Sequence, residues 1–382
     1  MRQWIGEREP TAIYTAEVIG RPITLDWHRF LARPRIAEPA RGSLDFLRRT
    51  RVLVVGAGGS IGSALALRLA SLEPSLLVLL EASESHLCAL QREWTEAGAP
   101  VPAVFLLGSV RDRALLDEIF TVHAPGLVFH SAAFKQVPLL EEQPFAAIAN
   151  NVFGTQCIVE AASRSRVILL STDKAVSPAS VMGATKRVAE YLVLAGGGKV
   201  LRLGNVLASR DSVAEVFARQ IAAGGPLRIT GLAPKRYFLT IEEAVNLLLS
   251  AAVEPGWPAL LVPALPAPHS ITDLARFMAQ ELAPGQAFSI EFTGPRPGDK
   301  ETEQFWSMSE IAHPAATSGL LSIESPLFAK GELRAALAGL RAALDARDLT
   351  VALAQLRLLV PDYVPSAALK ALAERSASSV FS

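Results

Sequence analysis

The run Ser171-Thr172-Asp173-Lys174 sets an acid and an amine side by side directly after an apolar stretch, Val167–Leu170. Together the two could remove water from a ketosugar. The carboxylic acid would protonate a leaving hydroxyl while the amine takes the proton alpha to the carbonyl. That work requires a protonated Asp173 and a neutral Lys174, the reverse of what their mutual attraction favours, so burial has to supply the opposing push. By itself the dipeptide fits a surface ion pair or a helix cap equally well. Its place after a buried strand argues for a site, because ligands of open α/β sheets bind outside the carboxyl ends of the strands. Lysine is also scarce: 8 of the 37 basic residues are lysine, which makes one inside a candidate site less expected by chance. A further one, Lys186, follows on the next helical stretch.

A second chemistry-bearing motif lies upstream, at Gly56-Ala57-Gly58-Gly59-Ser60-Ile61-Gly62, between an apolar strand and a helix. The first glycine permits a tight turn, and Gly58 and Gly59 let backbone N–H groups approach a pyrophosphate. Gly62 lets the helix pack closely on the strand. The helix N-terminus adds a partial positive charge for the anion. The alternative is a glycine-rich turn without a ligand. Glu81, nineteen residues beyond Gly62 at the end of the next strand, favours the ligand. A carboxylate there accepts from adenosine ribose hydroxyls and repels a 2′-phosphate, and Ala82-Ser83-Glu84 brings no arginine to welcome one. NAD is therefore expected rather than NADP, unless Glu81 is simply a solvated strand-end residue.

These residues need a scaffold. Short apolar runs at Val52–Val55, Leu76–Leu80, Val104–Leu107, Leu127–His130, Val167–Ser171 and Val200–Leu203 alternate with amphipathic stretches at Ser60–Ala70, Glu84–Ala97, Arg113–Phe120, Phe145–Ser163 and Ala184–Leu194. The alternation predicts an α/β fold: a Rossmann-type, doubly wound parallel sheet covered on both faces. The expected domains are an N-terminal arm with a short helix over 1–50, a cofactor-binding domain over 51–205, a smaller substrate lobe over 206–330 with some chain returning to the core, and a helical hairpin and frayed tail over 331–382. Leu227–Thr230 and Leu260–Pro263 are assigned to the smaller lobe, with Pro255–Pro268 as loop or edge strand.

Composition closes off other classes. Hydrophobic residues are 50% and charged residues 19%, which excludes a disordered chain. Lys+Arg and Asp+Glu both number 37, leaving no field for nucleic acid or anionic lipid. No uninterrupted apolar stretch is long enough for a transmembrane helix, and residues 1–30 hold charge without an apolar block, so neither membrane insertion nor a signal peptide is expected. Two cysteines, Cys88 and Cys157, exclude a disulfide scaffold or zinc cluster and are expected to be buried. His123, His269 and His313 lack metal spacing, so no metal is expected. A cytoplasmic globular protein is the expectation.

Several motifs stand in the order of one family. They are Gly56–Gly62, His130–Leu139, Asn151-Val152-Phe153-Gly154-Thr155, Ser171–Lys174 with Val181–Arg187, Arg202–Leu207, Arg236–Thr240 and Arg296-Pro297-Gly298-Asp299-Lys300. Together they resemble the UDP-N-acetylglucosamine 4,6-dehydratases, the polysaccharide-biosynthesis and protein-glycosylation branch of the extended short-chain dehydrogenases/reductases. The likeness runs from about Ile19 to Pro365 and is to the catalytic part of that branch. The short-chain dehydrogenase pattern has a tyrosine four residues before its lysine; here Met182 stands there, and a thioether cannot exchange a proton. By resemblance Asp173 is the acid, Lys174 the base, Thr172 a substrate-orienting hydroxyl and Lys186 a nicotinamide-ribose ligand. Ser109, Val110, Ser131, Ala132 and Ala133 would join the glycine loop around NAD. Lys135, Asn205, Arg210, Arg236 and Arg296 would hold a UDP-sugar, arginine suiting phosphate through its bidentate fork. The implied reaction is an internal redox: hydride leaves carbon 4, water leaves across carbons 5 and 6, and the hydride returns to carbon 6. Met182 resembles the branch that retains configuration at carbon 5. A homo-oligomer, at least a dimer, is implied as well. Ser109, Gln136, Ala208 and Asp211 depart from the usual residues. A 4-epimerase or dehydrogenase on the same fold, and an inactive sugar-nucleotide-binding partner, are the rival readings.

Overall fold

The computed structural model describes residues 16–18, 21–23 and 25–378. Its centre is a nine-stranded sheet: β1 (Arg51–Val55), β2 (Leu76–Glu81), β3 (Ala103–Leu107), β4 (Leu127–His130), β5 (Arg166–Thr172), β6 (Lys199–Leu203), β7 (Ala259–Pro263), β8 (Ile311–Pro314) and β9 (Leu320–Glu324). Across the sheet the order is 3-2-1-4-5-6-7-9-8. The first seven run parallel, while β9 pairs antiparallel with both β7 and β8. Strands β1, β4 and β6 are buried almost end to end, as a sheet covered on both faces requires. The order reverses between β1 and β4, which is where an open α/β sheet leaves a crevice at its carboxyl edge.

Helices Ser60–Ala70 and Ile241–Val253 cover one face, and Arg113–His123, Thr155–Ala161 and Val181–Ala195 pack with the other. Two expectations change here. Leu260–Pro263 does not belong to the small lobe: β7 lies inside the main sheet, between β6 and β9, because its alternate residues Leu260, Leu261 and Val262 are apolar on both faces. Phe145–Ser163 is not one helix. It breaks into Pro144–Ala147, a π-helical turn over Ile148–Gly154, and Thr155–Ala161. Cys88 is exposed, contrary to expectation, because Leu87, Leu90 and Trp94 form the buried stripe of its helix; Cys157 is half-buried.

The smaller lobe pairs Leu227–Thr230 in parallel with Ile290–Thr293 and packs helices Val213–Ala222 and Ile271–Leu282 around Phe217, Leu274 and Met278. The arm contributes to that lobe. Trp27 and Phe30 enter its core, Phe30 stacking near Phe238, and Arg33 is salt-bridged to buried Glu243 at 2.6 Å. The hairpin Lys330–Asp345 and Leu349–Leu359 buries Leu337, Leu340, Leu353 and Leu356 against Val181, Val188 and Tyr191, so these leucines are core. Of the expected frayed tail, residues 376–378 are helical and 379–382 lie outside the described residues.

Candidate active site

A cleft of about 830 Å3 opens at the carboxyl edge of the sheet, between it and the smaller lobe. On the sheet side Gly56, Gly59, Ser60, Ile61 and Gly62 form one wall, with Glu81, Ser109, Val110, Ser131, Ala132 and Ala133 beside them. The close approach at Gly62 is absolute: a Cβ there would sit 2.1 Å from the Gly56 carbonyl oxygen. Glu81 is buried at the end of β2 and accepts from the backbone N–H of Gly58 and of Ser83, each at 2.9 Å. Each of its oxygens keeps a second lone pair for a hydroxyl donor.

The catalytic turn follows β5 as a short 3-10 turn over Asp173–Ala175, with Thr172 capping it by accepting from the Lys174 N–H at 3.3 Å. Lys174 lines the cleft, its Nζ donating to Asp173 Oδ1 at 3.0 Å and Asn205 Oδ1 at 2.9 Å. Asp173 itself is 0% exposed and is not part of the cleft wall. It reaches the cleft through neighbours, Lys174 and the Thr172 hydroxyl, which donates to its Oδ1 at 3.0 Å; Oδ2 has no hydrogen-bond partner.

Helix Val181–Ala195 brings Met182 and Lys186 to the same wall, one turn apart. Lys186 donates to the Leu170 carbonyl at 2.7 Å, and burial lowers its amine to about 8. The helix comes this close because residue 183 is glycine: a Cβ there would stand 2.2 Å from the Lys174 carbonyl oxygen. Just before the turn, Ser171, also on the cleft wall, donates to buried Glu190 at 2.6 Å. Glu190 is held by Arg187 and Arg202, and Arg202 also grips Glu310, so an enclosed four-charge cluster backs β5. His130, at the end of β4, bonds Thr155 and is driven by burial to about 3, so it stays neutral.

The residues expected to hold a sugar nucleotide are divided. Lys135, Asn205, Arg210, Arg236 and Arg296 all line the cleft. Yet Arg210 reaches across to the glycine loop, Nη1 donating to Gly58 O at 2.6 Å and its N–H to Ser60 Oγ at 3.0 Å. Lys135 Nζ in turn donates to Arg210 O, and burial lowers its amine while Asp211 pulls the other way. Arg236 spends its guanidinium on the carbonyls of Lys235, Lys300 and Glu301; Arg296 pairs with Asp299. Of all the expected site residues, Asp173 and Gly58 are the two that do not line the cleft.

Some contributors carried no recognised role in the sequence. Asn151, on the π-helical turn, accepts from the Phe134 N–H and donates to the Phe134 carbonyl, clamping the loop that bears Ser131 to Lys135. A π-turn at such a place is a common mark of function. Gly183 was visible as an isolated glycine in a helical run, a signal of close backbone approach.

A profile of the polysaccharide biosynthesis proteins matches residues 52–324, the stretch that builds the sheet and cleft. The chain belongs to that family. Within it, the Bacillus subtilis "Probable polysaccharide biosynthesis protein EpsC" is 36% identical over 308 residues, covering 77% of this chain and 49% of its own length. The chain thus spans about half the length of that curated relative. A UDP-glucose 4-epimerase of Rickettsia canadensis is 37% identical over 220 residues, 54% of this chain and 63% of its own. Among solved structures, Pen from Bacillus thuringiensis superposes with a TM-score of 0.67 at 28% identity, covering 75% of this chain and 90% of that one. MoeE5 in complex with UDP-glucose and NAD gives a TM-score of 0.54 at 25% identity, covering 66% and 88%. Among the described residues no helix of this family member is long and apolar enough to cross a membrane.

Proposed function

We propose that this protein is an NAD-dependent nucleotide-sugar 4,6-dehydratase acting on UDP-N-acetylglucosamine. The observation that carries this reading is the Asp173–Lys174 pair, one member enclosed and the other on the cleft wall, beside Met182. Internal elimination of water needs an acid and a base acting together; epimerisation at carbon 4 needs neither there.

The cleft suits NAD. Gly62 leaves no room for a side chain against the Gly56 carbonyl, so the loop closes tightly onto the N-terminus of an eleven-residue helix, where a pyrophosphate would lie, and Glu81 offers acceptors for ribose hydroxyls. Lys186 would meet the nicotinamide ribose. Similar structures, such as MoeE5 in complex with UDP-glucose and NAD, support both ligands. The chemistry a bound NAD supplies is reversible acceptance of the carbon 4 hydride.

The chain's own residues do the rest. Lys174 takes the carbon 5 proton. Asp173 passes its proton to the Thr172 hydroxyl as Thr172 gives its own to the departing carbon 6 hydroxyl, so water leaves and the carbon 5–carbon 6 double bond forms. Met182 carries no exchangeable proton, so the carbon 4 hydroxyl falls to Lys186, the titrating group one helical turn further on. Lys135, Arg236 and Arg296 face the diphosphate.

A carbon 4 epimerase is the second reading, favoured by the Rickettsia relative. Proton NMR of the purified protein with UDP-N-acetylglucosamine in deuterated water separates them. A new methyl signal with deuterium at carbon 5, absent in Lys174→Ala, is the expected result. Formation of UDP-N-acetylgalactosamine would establish the epimerase, and a native rate in Lys174→Ala would sink the base assignment.

A further inference from the structure

Glu303 is 2% exposed and stands outside the cleft wall. Its Oε1 lies 4.0 Å from Lys174 Nζ and its Oε2 2.5 Å from Lys300 Nζ. Lys300 also donates to the carbonyl of Val176, two residues beyond Lys174, at 2.9 Å. The contacts of this carboxylate differ from those of the other buried glutamates. Glu81, Glu141, Glu243, Glu254 and Glu310 each accept at least one backbone N–H, the usual way a buried carboxylate ties chain to chain. Glu190 is saturated by two guanidiniums and a hydroxyl. Among the described residues Glu303 receives no backbone N–H and faces two ammonium groups, one of them that of Lys174.

We propose that Glu303 is a positioning residue for Lys174: it anchors the Lys174 amine at the cleft wall and stabilises the charge that amine gains during elimination. The inference rests on the dehydratase reading. In that step the carbon 5–hydrogen bond breaks, the proton goes to Lys174 Nζ, and the electron pair becomes the carbon 5–carbon 6 double bond. The carbon 6 hydroxyl departs as water with the proton that originates on Asp173. Lys174 and Asp173 therefore pass from a neutral pair to an ion pair. A fixed carboxylate beside the amine favours the product side of that change, and a charge already held in place acts without reorganising. Lys300 balances Glu303, so the brace adds no net charge beside the Asp173–Lys174 pair.

The test is Glu303→Gln, which keeps shape and removes charge, assayed with UDP-N-acetylglucosamine and NAD. Expected are a kcat lowered about tenfold or more, a KM within about twofold of native because Glu303 does not itself line the cleft, and a larger kinetic isotope effect for substrate deuterated at carbon 5. A native kcat and isotope effect would overturn the inference. Calorimetric binding of UDP verifies that the variant is folded. Should it not fold, Glu303→Asp, whose carboxylate is one methylene further from Lys174, must show the same split, and native turnover there overturns the inference instead. A wild-type protein that forms no 6-deoxy-4-keto product fails the dehydratase reading itself and takes the inference with it, whereas an active wild type matched by its variant fails the inference alone.

Discussion

Asp173 can act on a substrate only through a neighbour, because its carboxyl is wholly enclosed and the Thr172 hydroxyl stands between it and the cleft. An enclosed carboxyl cannot touch a bound sugar, yet the acid role asks it to deliver a proton there. Thr172 resolves the conflict if its hydroxyl hands protons across. Replacing Thr172 with valine keeps the shape and removes the relay. General acid catalysis is worth roughly 10²–10⁴-fold, so Thr172→Val is expected to lower dehydration of UDP-N-acetylglucosamine by at least about 10²-fold. A 6-fluoro analogue, whose leaving group depends less on protonation, should recover much of that loss. Equal losses with the hydroxyl and fluoro substrates, measured by release of the keto product and of fluoride, would mean Thr172 orients the sugar and relays nothing.

At the scale of elements, the catalytic turn is placed by a helix that could not approach it with an ordinary residue at 183. An alanine Cβ there would meet the Lys174 carbonyl at 2.2 Å and Pro178 Cβ at 3.0 Å. Neither a backbone carbonyl nor a proline ring carbon is free to step aside, so Gly183→Ala has to push helix Val181–Ala195 off β5. Overpacking of this kind costs about 1–3 kcal/mol, a fall in Tm of several degrees in a domain of this size, and moves Lys174 and Lys186 apart. Turnover should drop more than stability does, which a thermal scan beside an activity assay will check. The glycine loop, the first six strands of the sheet and the Asp173–Lys174 turn were legible because each is local: an apolar run, a turn residue and a strand end occur within a few positions of one another. Three features were not. The π-turn at Ile148–Gly154 keeps the helical period closely enough to read as one helix, and its cause, the Asn151 clamp on Phe134, is a contact seventeen residues away in sequence. Strand β7 read as loop or edge strand of the smaller lobe because its flanking prolines punctuate it, while its two partners lie far off in sequence at β6 and β9. Glu303 carries no local signal at all; the fold brings it to Lys174 across 129 residues.

The whole molecule is electrically neutral, yet it encloses an unusual share of its charge near one end of the sheet: Asp173, Lys186, Arg187, Glu190, Arg202, Glu303 and Glu310 are all buried. Most are paired with an opposite charge. Lys186 differs, because its amine meets a backbone carbonyl and Glu190 lies near without bonding it. Burial lowers it to about 8 from an ordinary 10.5. The unfolded chain therefore binds more protons than the folded one between those two values, and folding stability must rise with pH across that window. Below pH 8 the folded protein bears the cost of a buried ammonium, and above 10.5 the two states again agree. From pH 8.0 to 9.5 the gain from this one group is about 1.5 kcal/mol. Urea unfolding of the ligand-free protein at those two pH values, beside Lys186→Met, isolates it, since the buried tyrosines that titrate at higher pH are common to both proteins. The stability of wild type should climb relative to the variant by that amount. A difference that stays flat would place the Lys186 amine at an ordinary lysine value, and with it remove the group proposed to take the carbon 4 proton.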